Sequence, residues 1–167
     1  MNSFYIKYLG LLPIFVLIQV LILNQILFFT YINPYIYLAL IISLPLKTSN
    51  WFLLCYAFAI GFLIDLLGGS LGFHSTATVF IAFIKFSISK VTIPYSILED
   101  SDEITLNKIG SKSYIMFAFI IIATHSTIIF VLEHLQFNAH ILAKIVASSL
   151  VTLILLLILE IFNRAKK

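Results

Sequence analysis

The sequence predicts an all-α integral membrane protein, built as a bundle of six transmembrane helices. Of its 167 residues, 62% are hydrophobic and only 10% are charged, and the mean hydropathy is +1.12. Soluble domains carry about a quarter charged residues, so this composition excludes one. Because a spanning helix needs about 20 apolar residues, the chain has room for five or six spans and none for a soluble catalytic domain. Without internal repeats or linkers, residues 1–167 are expected to form a single polytopic domain.

Six apolar stretches, separated by turn residues or charges, mark the predicted spans: residues 9–29, 35–46, 51–67, 71–87, 114–132 and 141–162. The first stretch is longer than the core of a signal peptide and no small-x-small motif follows it, so it is interpreted as a retained span. The second is short, because Asn33 and Pro34 open it and Pro45 closes it. It is either a short tilted span or a re-entrant segment.

The distribution of positive charge decides between these two alternatives, because cytoplasmic loops concentrate Lys and Arg. With six spans and a cytoplasmic N-terminus, only Lys144 among the basic residues falls toward the outer side. If the second stretch did not cross, the loop 89–113 would move outside with its three lysines. We therefore predict six spans, a cytoplasmic loop 89–113 and both termini in the cytoplasm, and no role in nucleic-acid binding.

Aromatic residues are expected to anchor the helices at the two membrane surfaces. Tyr31, Tyr35 and Tyr37 fall at the outer end of the first hairpin, and Trp51 falls at the inner start of the third span.

Asp65 is the clearest ionisable residue at membrane depth, where a charge is costly and marks a candidate functional site. Ala57, Gly61 and Asp65 are spaced by four, so two small residues and the carboxylate share one helical face suited to close packing. Three glycines then permit a tight outer turn into the fourth span: Gly68, Gly69 and Gly72. Two interpretations stay open, in which Asp65 either caps this turn by accepting loop N–H bonds or binds a ligand.

Other ionisable residues fall in the same outer half of the predicted bundle. They form a candidate polar cluster: Asp65, His74, His125, Glu133 and Lys144. The cluster either lines a cavity open to the outside or consists of interfacial side chains that reach water. His74 and Lys144 are the expected partners of Asp65, whereas Lys85 lies about 20 Å deeper along its helix and is expected to extend to the inner headgroups.

The sixth predicted span carries two stripes of small and polar residues. Ala139, Ala143 and Ala147 form a face suited to close helix packing. Ser148 and Thr152 continue from Lys144 at the same spacing and are expected to point inward.

Enzyme signatures are not found: the sequence has no G-x-S-x-G, H-E-x-x-H or P-loop motif. Asp100-Ser101-Asp102 matches a minimal D-x-D metal motif, for which an acidic solvated loop is the commoner explanation. Zinc binding through His125, His134 and His140 has no positive support. We expect neither catalytic residues, nor a metal, nor a cofactor.

The Gly61 to His74 hairpin reads G-x-x-x-D-x-x-x-G, followed by a leucine, a glycine and an apolar-histidine pair. With the length, the six spans and the cytoplasmic termini, this pattern resembles the rod shape-determining protein MreD family. A second resemblance lies between His125 and Glu133, which is similar to span five of the Bacteroidetes-type members. The chain departs from typical members in having Lys85 where arginine is common.

The resemblance implies a non-enzymatic subunit of the bacterial cell-elongation machinery in the cytoplasmic membrane. The implied partners are MreC, MreB, and RodA with its penicillin-binding protein. The implied fold is similar to the substrate-binding subunit of energy-coupling-factor transporters, so a vitamin-type transport subunit is the alternative function. The residues of this sequence that match the family's signature hairpin are Asp65, Gly61 and Gly72.

Overall fold

A computed structural model describes residues 3–25, 32–100, 104–135 and 138–165. Its α-helices within these ranges are α1 (Ser3–Ile18), α2 (Leu38–Ser43), α3 (Asn50–Gly68), α4 (Phe73–Thr92), α5 (Tyr95–Asp100), α6 (Leu106–Ile109), α7 (Ser111–His134) and α8 (Ala139–Ala165). Among the described residues, five stretches are long and apolar enough to span a membrane: Tyr5–Leu23, Asn50–Gly68, Phe73–Thr92, Ser111–His134 and Ala139–Asn163. The part of the chain that the structure describes is therefore an all-helical, multi-pass membrane protein, as predicted from its composition.

The first membrane helix, Tyr5–Leu23, and α3 lie side by side and run in the same direction. Near their starts, the Tyr56 hydroxyl donates to the Tyr8 carbonyl at 2.7 Å. Near their ends, a Cβ on Gly68 would lie 3.7 Å from the Asn24 side-chain nitrogen. Because the helices are parallel, the described residues 32–49 return along the bundle before α3 begins.

The returning chain runs through the centre of the bundle, where the sequence predicted the second span. Only six of its residues, Leu38–Ser43, form a helix. Tyr35, Tyr37, Ile41 and Leu44 are each at most 2% exposed. Most of this second segment, residues 33–46, is thus buried among the other helices, and the remaining residues are half-buried.

The remaining helices complete the bundle, with α4 against α3 and α7 between α4 and α8. Tyr8 donates to the Ser43 carbonyl, and Lys85 also lies at this end of the second segment. The Glu160 carboxylate accepts from the Leu106 backbone N–H, which brings the end of α8 beside α6. We call this end of the bundle, where residues 93–110 connect α4 to α7, the loop end. The opposite end carries the turn between α3 and α4 and is called the hairpin end.

The inward face of α8 is the polar stripe that the sequence predicted. Ser148 and Thr152 are fully buried. Ala139 and Ala143 of the predicted alanine face are exposed, so this part of the face does not pack against another described helix of the chain. The polar stripe faces inward instead because the second segment has backbone groups that need hydrogen-bond partners.

Candidate functional site

The Asp65 carboxylate closes the turn at the hairpin end by accepting hydrogen bonds from the start of α4. Oδ1 accepts from the Ser70 hydroxyl at 2.5 Å and the His74 backbone N–H at 3.1 Å, and lies 3.0 Å from His74 Nδ1. Oδ2 accepts from the Ser75 backbone N–H at 2.8 Å and from its hydroxyl at 2.5 Å. Two carboxylate oxygens offer about four lone-pair positions, so these donors saturate the group. The geometry supports the capping interpretation of Asp65, and His74 is its partner as predicted.

The glycines around this turn have distinct roles. Gly69 ends α3 with φ +70° and Gly72 precedes α4 with φ +84°, both left-handed conformations that side chains resist. Gly68 is the last residue of α3 and has no such conformation. Gly61 is required by packing, because a Cβ there would lie 2.5 Å from the Ser75 Cα and would also overlap the Thr78 hydroxyl. The predicted close face of α3 therefore meets α4 at Gly61.

Two tyrosines of the second segment join the histidines of α4 and α7. The Tyr37 hydroxyl lies 3.0 Å from His125 Nε2. Tyr35 packs edge-on against the rings of His125 and His74, with centroids 4.8 Å and 6.3 Å away. His125 is fully buried. Tyr35, Tyr37, His74 and His125, together with Asp65, form what we call the polar core.

The prediction that Tyr35 and Tyr37 anchor the membrane surface is wrong, because both are buried in the bundle. The reason is the non-helical backbone between Asn33 and Leu38, which turns both side chains toward α7. Tyr31 lies outside the described residues. Trp51 is 81% exposed at the start of α3.

Glu133 and Lys144, the other predicted members of the cluster, lie apart from the network that holds Asp65. The Glu133 side chain is 49% exposed and lies 3.9 Å from His134. Lys144 is half-buried on the first turns of α8. The predicted cluster therefore divides into a buried part around Asp65, His74 and His125 and a peripheral part.

Several buried side-chain atoms have no hydrogen-bond partner among the described residues. Tyr35 Oη and His125 Nδ1 belong to the polar core, and the others are Thr48 Oγ1, Ser126 Oγ and Ser149 Oγ. Such atoms are uncommon in folded proteins and are often satisfied by a bound polar molecule. Sequence reasoning missed Ser126, because a serine in an apolar helix carries no signal of which face it occupies.

The non-helical start of the second segment is held by side chains from α8 and from Gln19, which directly follows α1. Ser148 Oγ accepts from the Asn33 N–H at 3.1 Å, and Thr152 Oγ1 accepts from the Tyr35 N–H at 3.0 Å. The Gln19 amide donates to the Pro34 carbonyl at 2.9 Å and accepts from the Ile36 N–H at 3.0 Å. Gln19 begins a π-helical turn, Gln19–Leu23, which breaks the regular spacing of the first membrane helix. Backbone groups at membrane depth need such internal partners.

The expectation that Lys85 extends to the inner headgroups is wrong. Lys85 is 1% exposed, and its ammonium donates to the carbonyls of Ile41 at 2.8 Å and Leu44 at 2.5 Å. These carbonyls lie at the end of α2, where a helix has unpaired acceptors and a partial negative charge. The lysine therefore caps a buried helix end.

The described residues include no group of three His, Cys, Asp or Glu side chains placed to bind a metal ion. Ser101 and Asp102 of the D-x-D match lie outside the described residues. Comparisons with protein-family models, curated proteins and solved structures return no match for this chain.

Proposed function

We propose that this protein is a non-enzymatic membrane subunit of the bacterial cell-elongation complex. In this role it docks the bitopic protein MreC in the cytoplasmic membrane and helps to organise peptidoglycan synthesis by RodA and its penicillin-binding protein, along MreB. The second segment serves as a sixth, discontinuous crossing, and both termini and the loop 89–113 face the cytoplasm.

The observation that supports a scaffold role is that hydrogen bonds from the Asp65 hairpin itself saturate the Asp65 carboxylate. A carboxylate that binds a solute or transfers a proton needs a free oxygen, whereas both oxygens of Asp65 are occupied by its own hairpin. The charge is used to fix α3 against α4. The identity of the complex rests on the resemblance of the Gly61 to His74 hairpin to the MreD family.

The test is affinity capture of the tagged protein from crosslinked native membranes, with partners identified by mass spectrometry. MreC and the elongation synthases are the expected partners. Gly61→Leu is expected to abolish the capture, and Gly10→Leu is the matched control, since no atom lies within 4 Å of a Cβ on Gly10. Absence of MreC from the wild-type capture, or its full retention with Gly61→Leu, would contradict the proposal.

The topology is tested with reporter fusions that are active only on the outer side. A fusion after Gln25 is expected to be active, and a fusion after Lys47 inactive. Equal activity at both positions would show that the second segment does not cross.

The unpartnered polar atoms favour a second candidate, the substrate-binding subunit of a small-molecule transporter. Transporters build their sites beside discontinuous helices, and here Tyr35 Oη and His125 Nδ1 lie beside the non-helical start of the second segment. This function predicts saturable binding of a small polar metabolite to the purified protein. It also predicts capture of an ATPase module with its coupling subunit, a result that would replace the scaffold proposal.

The matched variant for this candidate is His125→Phe, which removes both ring nitrogens but keeps an aromatic ring against Tyr35. Binding should be lost in His125→Phe and kept in His134→Phe, whose ring lies outside the polar core. Metabolite binding that survives His125→Phe would exclude the polar core as the site.

A further inference from the structure

A groove of about 400 Å³ opens at the loop end, between the end of α4 and the start of α7. Lys90 enters it from α4 and Lys112 from α7, so two different helices supply its positive charge. Both lysines are exposed at the ends of membrane-spanning helices. The Lys90 ammonium lies 4.5 Å from the centroid of the Phe86 ring, one turn toward the middle of α4.

The start of α7 adds unpaired donors to the same groove. Its N-cap is Gly110, which has no side chain to cap the helix, and the first hydrogen bond of the helix runs from the Tyr114 N–H to the Gly110 carbonyl. The N–H groups before Tyr114, including that of the groove residue Ser113, have no carbonyl partner within the helix. With the dipole of a helix of 24 residues, they favour an anion beside Lys112.

Apolar side chains border the charged part of the groove. Val91 is 79% exposed, Tyr95 75% and Met116 41%. A free inorganic anion gains nothing from them, whereas a phospholipid can place its phosphate between the lysines and its acyl chains against these residues. Basic pockets between membrane helices bind anionic headgroups in this way.

We propose that this groove binds the phosphate headgroup of an anionic phospholipid. The lysines and the α7 N-terminus hold the phosphate, and Val91, Tyr95 and Met116 contact the upper part of the acyl chains. The site is independent of the proposed function, because it involves neither the polar core nor MreC.

The test measures binding of phosphatidylglycerol to the purified full-length chain in phosphatidylcholine-containing micelles. One lysine near a membrane surface contributes about a fivefold gain in affinity for anionic lipid. Lys90→Gln and Lys112→Gln are each expected to weaken binding about fivefold, and the double variant about 25-fold. Lys7→Gln, which removes the same charge from an exposed position on α1, should leave the affinity unchanged.

Four results would overturn the proposal. Wild-type affinity in the double variant would show that the lysines do not hold the headgroup, and an equal loss in Lys7→Gln would indicate diffuse surface charge. Displacement of the lipid by equimolar inorganic phosphate would indicate a free-anion site.

Lys90→Arg and Lys112→Arg keep the charge and should keep the affinity for the lipid. Loss of lipid binding in these arginine variants would contradict the proposal even if the glutamine variants unfold.

Discussion

Gly61→Ala is the smallest change that tests how α3 and α4 are held together. The added Cβ would lie 2.5 Å from the Ser75 Cα and 2.6 Å from its backbone nitrogen. These are backbone atoms of α4, so they cannot move aside as a flexible side chain can. The two helices must separate by about 1 Å at this point to reach ordinary van der Waals distance.

The expected destabilisation follows from two costs and one gain. Overpacking of a close contact costs about 1–3 kcal/mol. Displacing Ser75 also stretches its two bonds to Asp65, and hydrogen bonds to a charged group contribute about 1.5–3 kcal/mol each. Replacing glycine by alanine inside a helix stabilises the helix by about 1 kcal/mol through its higher helix propensity. If the two stretched bonds together lose the strength of one, the net expectation is a loss of about 1.5–5 kcal/mol in the free energy of unfolding.

The assay is reversible unfolding in mixed micelles, with Gly10→Ala as the control. Gly10 also lies inside a helix, but no atom lies within 4 Å of its Cβ position, so only the gain in helix propensity applies. Gly10→Ala should therefore be neutral or stabilising by up to about 1 kcal/mol. If Gly61→Ala shifted stability by the same amount as Gly10→Ala, the close approach of α3 and α4 at this residue would be refuted.

Three further variants test the hydrogen bonds inside the bundle, all by the unfolding free energy in micelles. Asp65→Asn places an amide donor among groups that are themselves donors, and should lower the free energy of unfolding by about 2–4 kcal/mol. Wild-type stability of this variant would contradict the capping role. Lys85→Met leaves two buried carbonyls unpaired and should cost a similar amount, whereas Lys90→Met at an exposed position should stay within about 0.5 kcal/mol. Thr152→Val removes the acceptor of the Tyr35 N–H and should cost about 1–3 kcal/mol; a neutral result would show that the second segment does not need α8.

The sequence predicts those parts of the structure that depend on local pattern. Long apolar runs predict the membrane helices, because hydropathy is summed within each segment. The turn around Asp65 is equally local: Gly69 and Gly72 have the left-handed conformations that the turn requires, and His74 follows Asp65 by only nine residues. The proximity of Asp65 and His74 could therefore be expected from the hairpin sequence alone.

The second segment could not be predicted in the same way, because its partners come from distant parts of the chain. The Tyr35 N–H bonds to Thr152, 117 residues away, and the Leu44 carbonyl bonds to Lys85, 41 residues away. A lysine within an apolar helix has the same local sequence pattern whether its side chain extends to the membrane surface or turns inward. Only the position of an unpaired helix end decides between these outcomes, and that position is a property of the assembled bundle.

The buried second segment also bears on the choice between the two proposed functions. A short helix with non-helical flanks persists at membrane depth only if other elements satisfy its backbone. Here Gln19, Lys85, Ser148 and Thr152, from the first membrane helix, α4 and α8, are all committed to that task. A transport cycle that moved this segment would break these bonds together, whereas a scaffold keeps all of them while it presents its outer helix faces to a partner. The number of side chains committed to one fixed position therefore favours the scaffold, and metabolite binding that loosened the segment would favour transport.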